Sequence, residues 1–251
     1  MDVYIAIIMF MFGIIFGSFF NVVGRRMPQG ESFSTSRSYC SSCSQTLNGW
    51  DMIPVLSYLT LRGRCRYCKA KFSFLYPLTE LLTGLLFVSS FLVYGWSYEL
   101  IGALILVSLG MIILVSDLVY MIIPDHLLLF YLPLVILFRT VYPLEPWYSS
   151  IIGALTAFLL IFIIIFITQG GMGSGDMKLF GLLGFLLGWQ QVLLVFFLSI
   201  LIGAVISILL LSLRIIDRKT PVPFGPYIII AALISYFAGS DIMGWYVLLV
   251  W

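Results

Sequence analysis

The sequence predicts an all-α polytopic membrane protein with about eight transmembrane helices and one small polar module. Hydrophobic residues make up 62% of the 251 residues and charged residues only 10%, whereas an ordinary soluble domain has about 25% charged residues. Long apolar runs recur along the chain, and a helix needs about 20 such residues to span a bilayer. The only sizeable polar stretch, residues 25–73, is too short for a soluble catalytic domain.

Eight apolar segments define the predicted helices. They cover residues 3–24, 75–95, 99–117, 125–143, 149–168, 176–190, 191–214 and 225–250. The segment 176–190 is short for a span, and the apolar run of the last segment is interrupted at Gly239-Ser240-Asp241. We predict a span at each of the eight segments.

The distribution of basic residues predicts the orientation, because short cytoplasmic loops are enriched in Lys and Arg. The first polar loop contains Arg25, Arg26, Arg37, Arg62, Arg64, Arg66, Lys69 and Lys71. Further basic residues lie between residues 214 and 219 and at Lys178, and only Arg139 falls outside these regions. Eight spans place the three basic regions on one side, which we interpret as the cytoplasm, with both termini outside.

The four cysteines form two CxxC pairs in the first polar loop. They are Cys40-Ser-Ser-Cys43 and Cys65-Arg-Tyr-Cys68, with 21 residues between the pairs. Two such pairs can complete a tetrahedral four-thiolate zinc site, and neighbouring basic residues favour the thiolate forms. Four protein ligands leave no open position, so we expect a structural Zn²⁺. Two disulfides or a redox pair are the alternatives, and a cytoplasmic location disfavours stable disulfides.

Two aspartates end long apolar runs. Asp117 closes the run ELIGALILVSLGMIILVSD, and Asp176 closes the glycine-rich turn GGMGSGD. A charged side chain at a helix centre in the bilayer costs about 2.5–3.5 kcal/mol on insertion scales, so it usually indicates a functional site. Two carboxyls on one side of the membrane can share a proton, as in aspartic proteases. Taken singly, Asp176 could instead cap a helix, and Asp117 could be a water-exposed carboxylate at a helix end.

An ordered set of motifs surrounds these two acids. The set comprises Gly17-Ser-Phe-Phe-Asn21, Tyr76-Pro77-Leu-Thr-Glu80, Pro124-Asp125 seven residues after Asp117, Gly173-Ser174-Gly175-Asp176 and Pro223-Phe224-Gly225-Pro226. With the two CxxC pairs, these motifs and their order resemble those of the type IV prepilin peptidases, which are membrane aspartyl peptidases of the GxGD class. The resemblance covers nearly the whole chain. Family members often have a second Asp two residues after the first, where this chain has Val119. Asp117 is therefore the sole candidate at its helix end.

The resemblance implies an aspartyl endopeptidase of the bacterial cytoplasmic membrane with its active site facing the cytoplasm. It would remove the leader of type IV prepilins or pseudopilins after a Gly, and many bacterial members also methylate the new N-terminus with S-adenosylmethionine. The implied catalytic residues are Asp117 and Asp176. We expect Gly173 and Gly175 to let backbone approach the substrate, and the family match of Glu80 suggests a role in substrate or methyl-donor handling beside a structural one.

The resemblance also predicts the division of the chain and its partners. We expect a first transmembrane helix over 1–24, a small cytoplasmic four-cysteine zinc-binding loop module over 25–73 and a transmembrane aspartyl peptidase domain over 74–251. The partners would be prepilins or pseudopilins and the lipid bilayer, with no nucleic acid.

The main alternative is a carboxylate-coupled transporter with a cytoplasmic metal-binding module, because buried acids and glycine-broken helices also suit transport. A non-enzymatic assembly scaffold is a third hypothesis.

Overall fold

The computed structural model describes residues 2–31, 38–40, 42–169, 171–217 and 220–250. Over these ranges the chain is helical and forms no β-strand, only the isolated bridges Tyr39–Thr46 and Arg64–Lys71. The predicted all-α class is confirmed. Arg37, Arg218 and Lys219, which entered the orientation argument, and Gly170 of the glycine-rich turn lie outside the described residues.

The helices follow the predicted apolar segments closely. Their bounds are α1 Asp2–Arg26, α2 Leu56–Thr60, α3 Leu75–Tyr94, α4 Tyr98–Tyr120, α5 Asp125–Val141, α6 Ser149–Thr168, α7 Ser174–Leu187, α8 Trp189–Ser212 and α9 Gly225–Val250. Short 3-10 helices cover Met27–Gln29 and Gly49–Met52. The expected interruption at 239–241 does not break α9, because one Gly inside a helix costs only about 1 kcal/mol.

Six of these helices are long and apolar enough to cross a membrane, namely α1, α3, α4, α6, α8 and α9. The protein is therefore a multi-pass membrane protein, but the predicted count of eight spans is not confirmed. The two remaining predicted spans correspond to shorter helices: α5 has 17 residues and α7 has 14. At 1.5 Å per residue α7 is about 21 Å long, against about 30 Å for the hydrocarbon core.

The chain divides into two compact units, residues 1–115 and 116–251. In the first, called the N-terminal unit, α1 packs against α3, with Phe16 and Phe87 rings 6.1 Å apart. Asn21 Nδ2 of α1 donates to the carbonyl of Tyr76 on α3 at 3.3 Å. These contacts join the two long helices that flank the cysteine module along the chain.

In the second, the C-terminal unit, the short helix α7 is enclosed by its neighbours. It packs against α5 and α6, and a methyl group on Gly184 of α7 would clash with the backbone of Gly153 on α6. Arg139 of α5 is buried and donates from Nε to the carbonyl of Leu186 at 2.7 Å. A cation at this position interacts favourably with the negative, C-terminal end of the α7 dipole. These contacts fix α7 at the end opposite Asp176.

Candidate active site and candidate metal centre

Asp117 lies in the last turn of α4. The helix ends three residues later, and Met121, with φ 55°, donates its N–H to the carbonyl of Asp117 at 2.9 Å. Asp117 is only 5% exposed, and its Oδ2 accepts the N–H of Gly225 at 2.8 Å. The alternative of a water-exposed carboxylate at a helix end does not fit this burial.

Asp176 lies in the first turn of α7 and is half-buried. Its Oδ2 accepts the N–H of Gly173 at 3.1 Å, the residue just before the helix. This contact satisfies a backbone donor that a helix N-terminus leaves unpaired. Asp176 therefore contributes to the helix start, as the capping interpretation expects. Only Oδ2 makes this contact, and the other carboxyl oxygen takes no part in it.

Both aspartates line one cavity of about 580 Å³. The lining also includes Gly173, Gly175 and the segment 221–224, and the remaining described side chains of the lining, such as Ile123 and Ile200, are apolar. The structure thus brings together two carboxyls that are 59 positions apart in the sequence, and it surrounds them with an apolar wall.

The three residues predicted to contact substrate lie in different places. Gly173 and Gly175 line the cavity, where the N–H of Gly173 holds Asp176 and Gly175 lies against Ile123. Glu80 belongs to the N-terminal unit and is 6% exposed. Its Oε2 accepts the N–H of Val55 at 2.7 Å, and it has a further hydrogen bond with the Ser18 side chain. This geometry supports the structural role of Glu80.

Two contacts near the cavity were not predicted from the sequence. Lys178 Nζ lies 2.7 Å from Asp125 Oδ2, so an ion pair joins the N-terminal part of α7 to the first residue of α5. The second is the bond from Gly225 to Asp117. The sequence signal for it was the motif Pro223-Phe224-Gly225-Pro226, which entered the resemblance to the family without a role for Gly225.

The four cysteines form a candidate metal centre in the N-terminal unit. Their Sγ atoms all lie within 4.8 Å of one another, and all four thiols are free. Cys40 and Cys68 have Sγ atoms 3.8 Å apart. Four thiolates at about 2.3 Å from a tetrahedral Zn²⁺ are separated by about 3.8 Å. The donor set and its spacing fit a metal ion with four sulfur ligands.

The two CxxC pairs adopt the same local structure. In each pair the first cysteine donates its N–H to the carbonyl five residues later, and its own carbonyl accepts an N–H from four residues later. That fourth residue, Ser44 or Lys69, has a positive φ of 57° or 62°. Burial raises the pKa of Cys40, but backbone N–H groups of Ser42 and Cys43 and the neighbouring thiols of Cys65 and Cys43 lower it to about 7. The pKa of Cys43 moves in the opposite direction: the backbone N–H of Gln45 lowers it, but burial and the thiols of Cys68 and Cys40 outweigh this and raise the pKa to about 11.

Fold and site together define a multi-pass membrane protein with a carboxyl pair in one unit and a four-cysteine centre in the other. Residues 11–94 match the family model described as Bacterial Peptidase A24 N-terminal domain, and residues 104–208 match that of the Type IV leader peptidase family. The chain belongs to the type IV leader peptidase family. The resemblance inferred from the motifs is confirmed.

Several relatives match over almost the whole chain. The prepilin leader peptidase/N-methyltransferase of Bacillus subtilis (strain 168) is 38% identical over 240 residues, which cover 96% of this chain and 97% of that protein. The protein of the same name from Aeromonas salmonicida (strain A449) is 36% identical and covers 95% and 92%. That from Stutzerimonas stutzeri is 32% identical and covers 93% and 91%. No solved structure matches the chain.

Proposed function

We propose that the protein is a membrane aspartyl endopeptidase that removes the leader of type IV prepilins or pseudopilins after a Gly. Family membership supports peptidase activity, and the names of the full-length relatives support the substrate class. The observation that carries the proposal is the single cavity that contains both Asp117 and Asp176. Neither matched family model is that of a transporter, so the comparisons do not support a carboxylate-coupled transporter.

In the proposed mechanism the two carboxyls share one proton, because two neighbouring carboxylates in one cavity do not both ionise easily. The ionised carboxylate takes a proton from a water molecule, and the water oxygen attacks the carbonyl carbon of the scissile peptide. The protonated carboxyl donates its proton to the carbonyl oxygen. In the collapse of the tetrahedral intermediate the C–N bond breaks, and the carboxyl that took the water proton gives it to the leaving nitrogen. The other carboxylate takes back the proton from the hydroxyl of the intermediate, so the pair again holds one proton.

The apolar lining suits this chemistry and the proposed substrate. Residues such as Ile123, Ile200 and Phe224 surround the acids with groups that do not compete for hydrogen bonds. Electrostatic interactions are stronger in such surroundings than in water. A helical substrate must unwind before its peptide bond can be attacked, and a Gly at that point makes unwinding easier by about 1 kcal/mol.

The test is cleavage by the purified protein. The wild-type protein in detergent is incubated with a synthetic prepilin, and the product masses are measured. We expect a shortened peptide that starts one residue after the Gly. A purified, folded protein that leaves the peptide intact under these conditions contradicts the proposed peptidase function and returns the transporter and scaffold hypotheses to consideration.

We also propose N-methylation of the new N-terminus with S-adenosylmethionine as a second activity. Its support is the double name, leader peptidase and N-methyltransferase, that the relatives carry. The same incubation tests it when the methyl donor is added, since methylation increases the product mass by one methylene unit. A cleaved product of unchanged mass in the presence of the donor contradicts this second activity alone.

The metal of the four-cysteine centre is, in our proposal, a structural Zn²⁺ bound by Cys40, Cys43, Cys65 and Cys68. The spacing of the sulfur atoms and the two equivalent turns support it. A module this small buries little core, so metal binding would supply much of its folding free energy. Metal analysis of the purified protein should find about one zinc per chain, and a protein purified without metal contradicts the proposal.

We place the protein in the bacterial cytoplasmic membrane with the acid pair on the cytoplasmic side. The six apolar helices and the basic residues of the first polar loop support this placement. The proposed domains remain a first helix over 1–24, a cysteine module over 25–73 and a peptidase domain over 74–251. Labelling of single introduced cysteines with a membrane-impermeant reagent in intact cells tests the orientation, and labelling of the first polar loop from outside would contradict it.

A further inference from the structure

We propose that Gly225 is the positioning residue of the acid pair: its N–H fixes one oxygen of Asp117, and its missing side chain makes this contact possible. The proposal rests on the proposed peptidase function and adds to it the third element of the site, the first residue of α9. Gly225 does not contact the reacting atoms in this scheme. It acts through Asp117.

The first observation is a buried hydrogen bond between distant parts of the sequence. Gly225 is buried and donates its N–H to Oδ2 of Asp117 at 2.8 Å, across 108 positions. The first N–H groups of a helix lack partners within the helix, and they carry its positive end. Pro226 has no N–H, and the N–H groups of Tyr227 and Ile228 go to the carbonyl of Phe224. Gly225 therefore supplies the first-turn donor that reaches the acid.

The second observation is steric. A Cβ atom at Gly225 would lie 2.8 Å from Oδ2 of Asp117, 3.1 Å from its Cγ and 3.2 Å from its Cβ. All three distances are shorter than an ordinary contact of 3.4–4 Å. The obstacle is the whole short carboxyl side chain, so no terminal rotation of a flexible group relieves it. Any larger residue at 225 must move either Asp117 or the start of α9.

The start of α9 is held by its own contacts. Two prolines, Pro223 and Pro226, restrict the backbone on both sides of Gly225. The ring of Tyr227 packs against Gly203 of α8, where a Cβ would lie 3.0 Å from Tyr227 Cδ2, and it meets the Phe224 ring edge-on at 6.3 Å. The displacement caused by a larger residue therefore falls on Asp117.

The consequence for catalysis is positional. With Oδ2 bonded to the N–H of Gly225, the other oxygen of Asp117 is the one available for the attacking water or for the proton shared with Asp176. A misplacement of a catalytic group by about 1 Å can cost about 100-fold in rate. Substrate binding depends on the much larger apolar surface of the cavity, so it should change little.

The test compares Gly225→Ala with Gly244→Ala. Both glycines lie in α9, and a Cβ at Gly244 meets nothing within 4 Å. Cleavage of a synthetic prepilin should show a kcat about 100-fold lower for Gly225→Ala, with KM within about twofold of wild type. Gly244→Ala should match wild type in both constants. A kcat for Gly225→Ala within threefold of that of Gly244→Ala overturns the proposal.

A second variant covers the case in which Gly225→Ala does not fold. An ester in place of the Phe224–Gly225 amide removes the N–H without adding bulk, although it also weakens the Phe224 carbonyl as an acceptor for Tyr227 and Ile228. Loss of a hydrogen bond to a charged group should lower kcat roughly tenfold or more, and an unchanged kcat refutes the positioning role. Asp117→Asn distinguishes a failure of the acid pair from a failure of the Gly225 proposal. If Asp117→Asn still cleaves the substrate, the acid pair is refuted, and the Gly225 proposal with it. If Asp117→Asn is inactive but the ester variant is active, only the positioning role of Gly225 is refuted.

Discussion

The contact between α6 and α7 gives a prediction whose size follows from the geometry. A methyl group on Gly184 would lie 2.9 Å from the nitrogen of Ala154 and closer still to the carbonyl of Gly153. These neighbours are backbone atoms, which cannot rotate away, so the two helices must separate by roughly 1 Å; overpacking of this kind costs about 1–3 kcal/mol. Because backbone is involved we take about 3 kcal/mol, and the gain of about 1 kcal/mol from replacing Gly by Ala in a helix leaves a net loss of about 2 kcal/mol.

The matched control lies one turn earlier in the same helix. A Cβ at Gly181 would meet its nearest neighbour, Phe158 Cδ2, at 3.5 Å, an ordinary contact distance. Gly181→Ala should therefore leave the protein as stable as wild type or raise its stability by up to about 1 kcal/mol. The two alanine substitutions are chemically identical and are expected to change stability in opposite directions.

Thermal unfolding in detergent, followed by circular dichroism, measures this difference. The net loss for Gly184→Ala corresponds to a lower Tm by roughly 4–8 °C, whereas Gly181→Ala should keep or raise the Tm. Because α7 carries Asp176, Gly184→Ala should also have a lower kcat than wild type in the prepilin assay. Equal melting temperatures for the two variants would refute the close α6–α7 packing from which the reasoning starts.

The remaining predictions concern the metal centre and the ion pair. Cys65→Ser removes a fully buried sulfur and should lower the zinc content of the purified protein well below one per chain; an unchanged zinc content would argue against ligation by Cys65. Lys178→Met breaks an ion pair whose side chains are 42% and 65% exposed. Such pairs contribute at most about 1 kcal/mol. The free energy of unfolding should therefore change by no more than about 1 kcal/mol, and kcat by less than about fivefold. A 100-fold loss of kcat would show that Lys178 has a larger role.

The sequence predicts the positions of the helices well, because apolar runs of this length leave few alternatives in a bilayer. The predicted number of spans is not confirmed, because six helices meet the length and composition of a span. Segment 176–190 was counted as a span, but α7 stops at Leu187, since Gly188 has a φ of 85° and α8 begins at Trp189. Composition shows that such a segment is apolar. It does not show that the helix ends after only 14 residues.

The site was predicted in part. Asp117, Asp176 and the four cysteines stand out because carboxylates in apolar runs and paired CxxC sequences are rare without a function. The bond from Gly225 to Asp117 does not stand out, since nothing local in the sequence pairs a backbone N–H with a carboxyl 108 positions away. Arg139 likewise looked like a residue outside the basic regions, and its contact with the end of α7 depends on how α5 packs.

The most direct test of the acid pair is the rate of prepilin cleavage by single Asp→Asn variants. Asn keeps the size of the side chain and removes its ability to exchange a proton. Asp117→Asn and Asp176→Asn should each lower kcat by about 10²–10⁴-fold, while Asp241→Asn, at an exposed position of α9, should cleave at the wild-type rate. Wild-type cleavage by either Asp117→Asn or Asp176→Asn would contradict the proposal that these two residues form the catalytic pair.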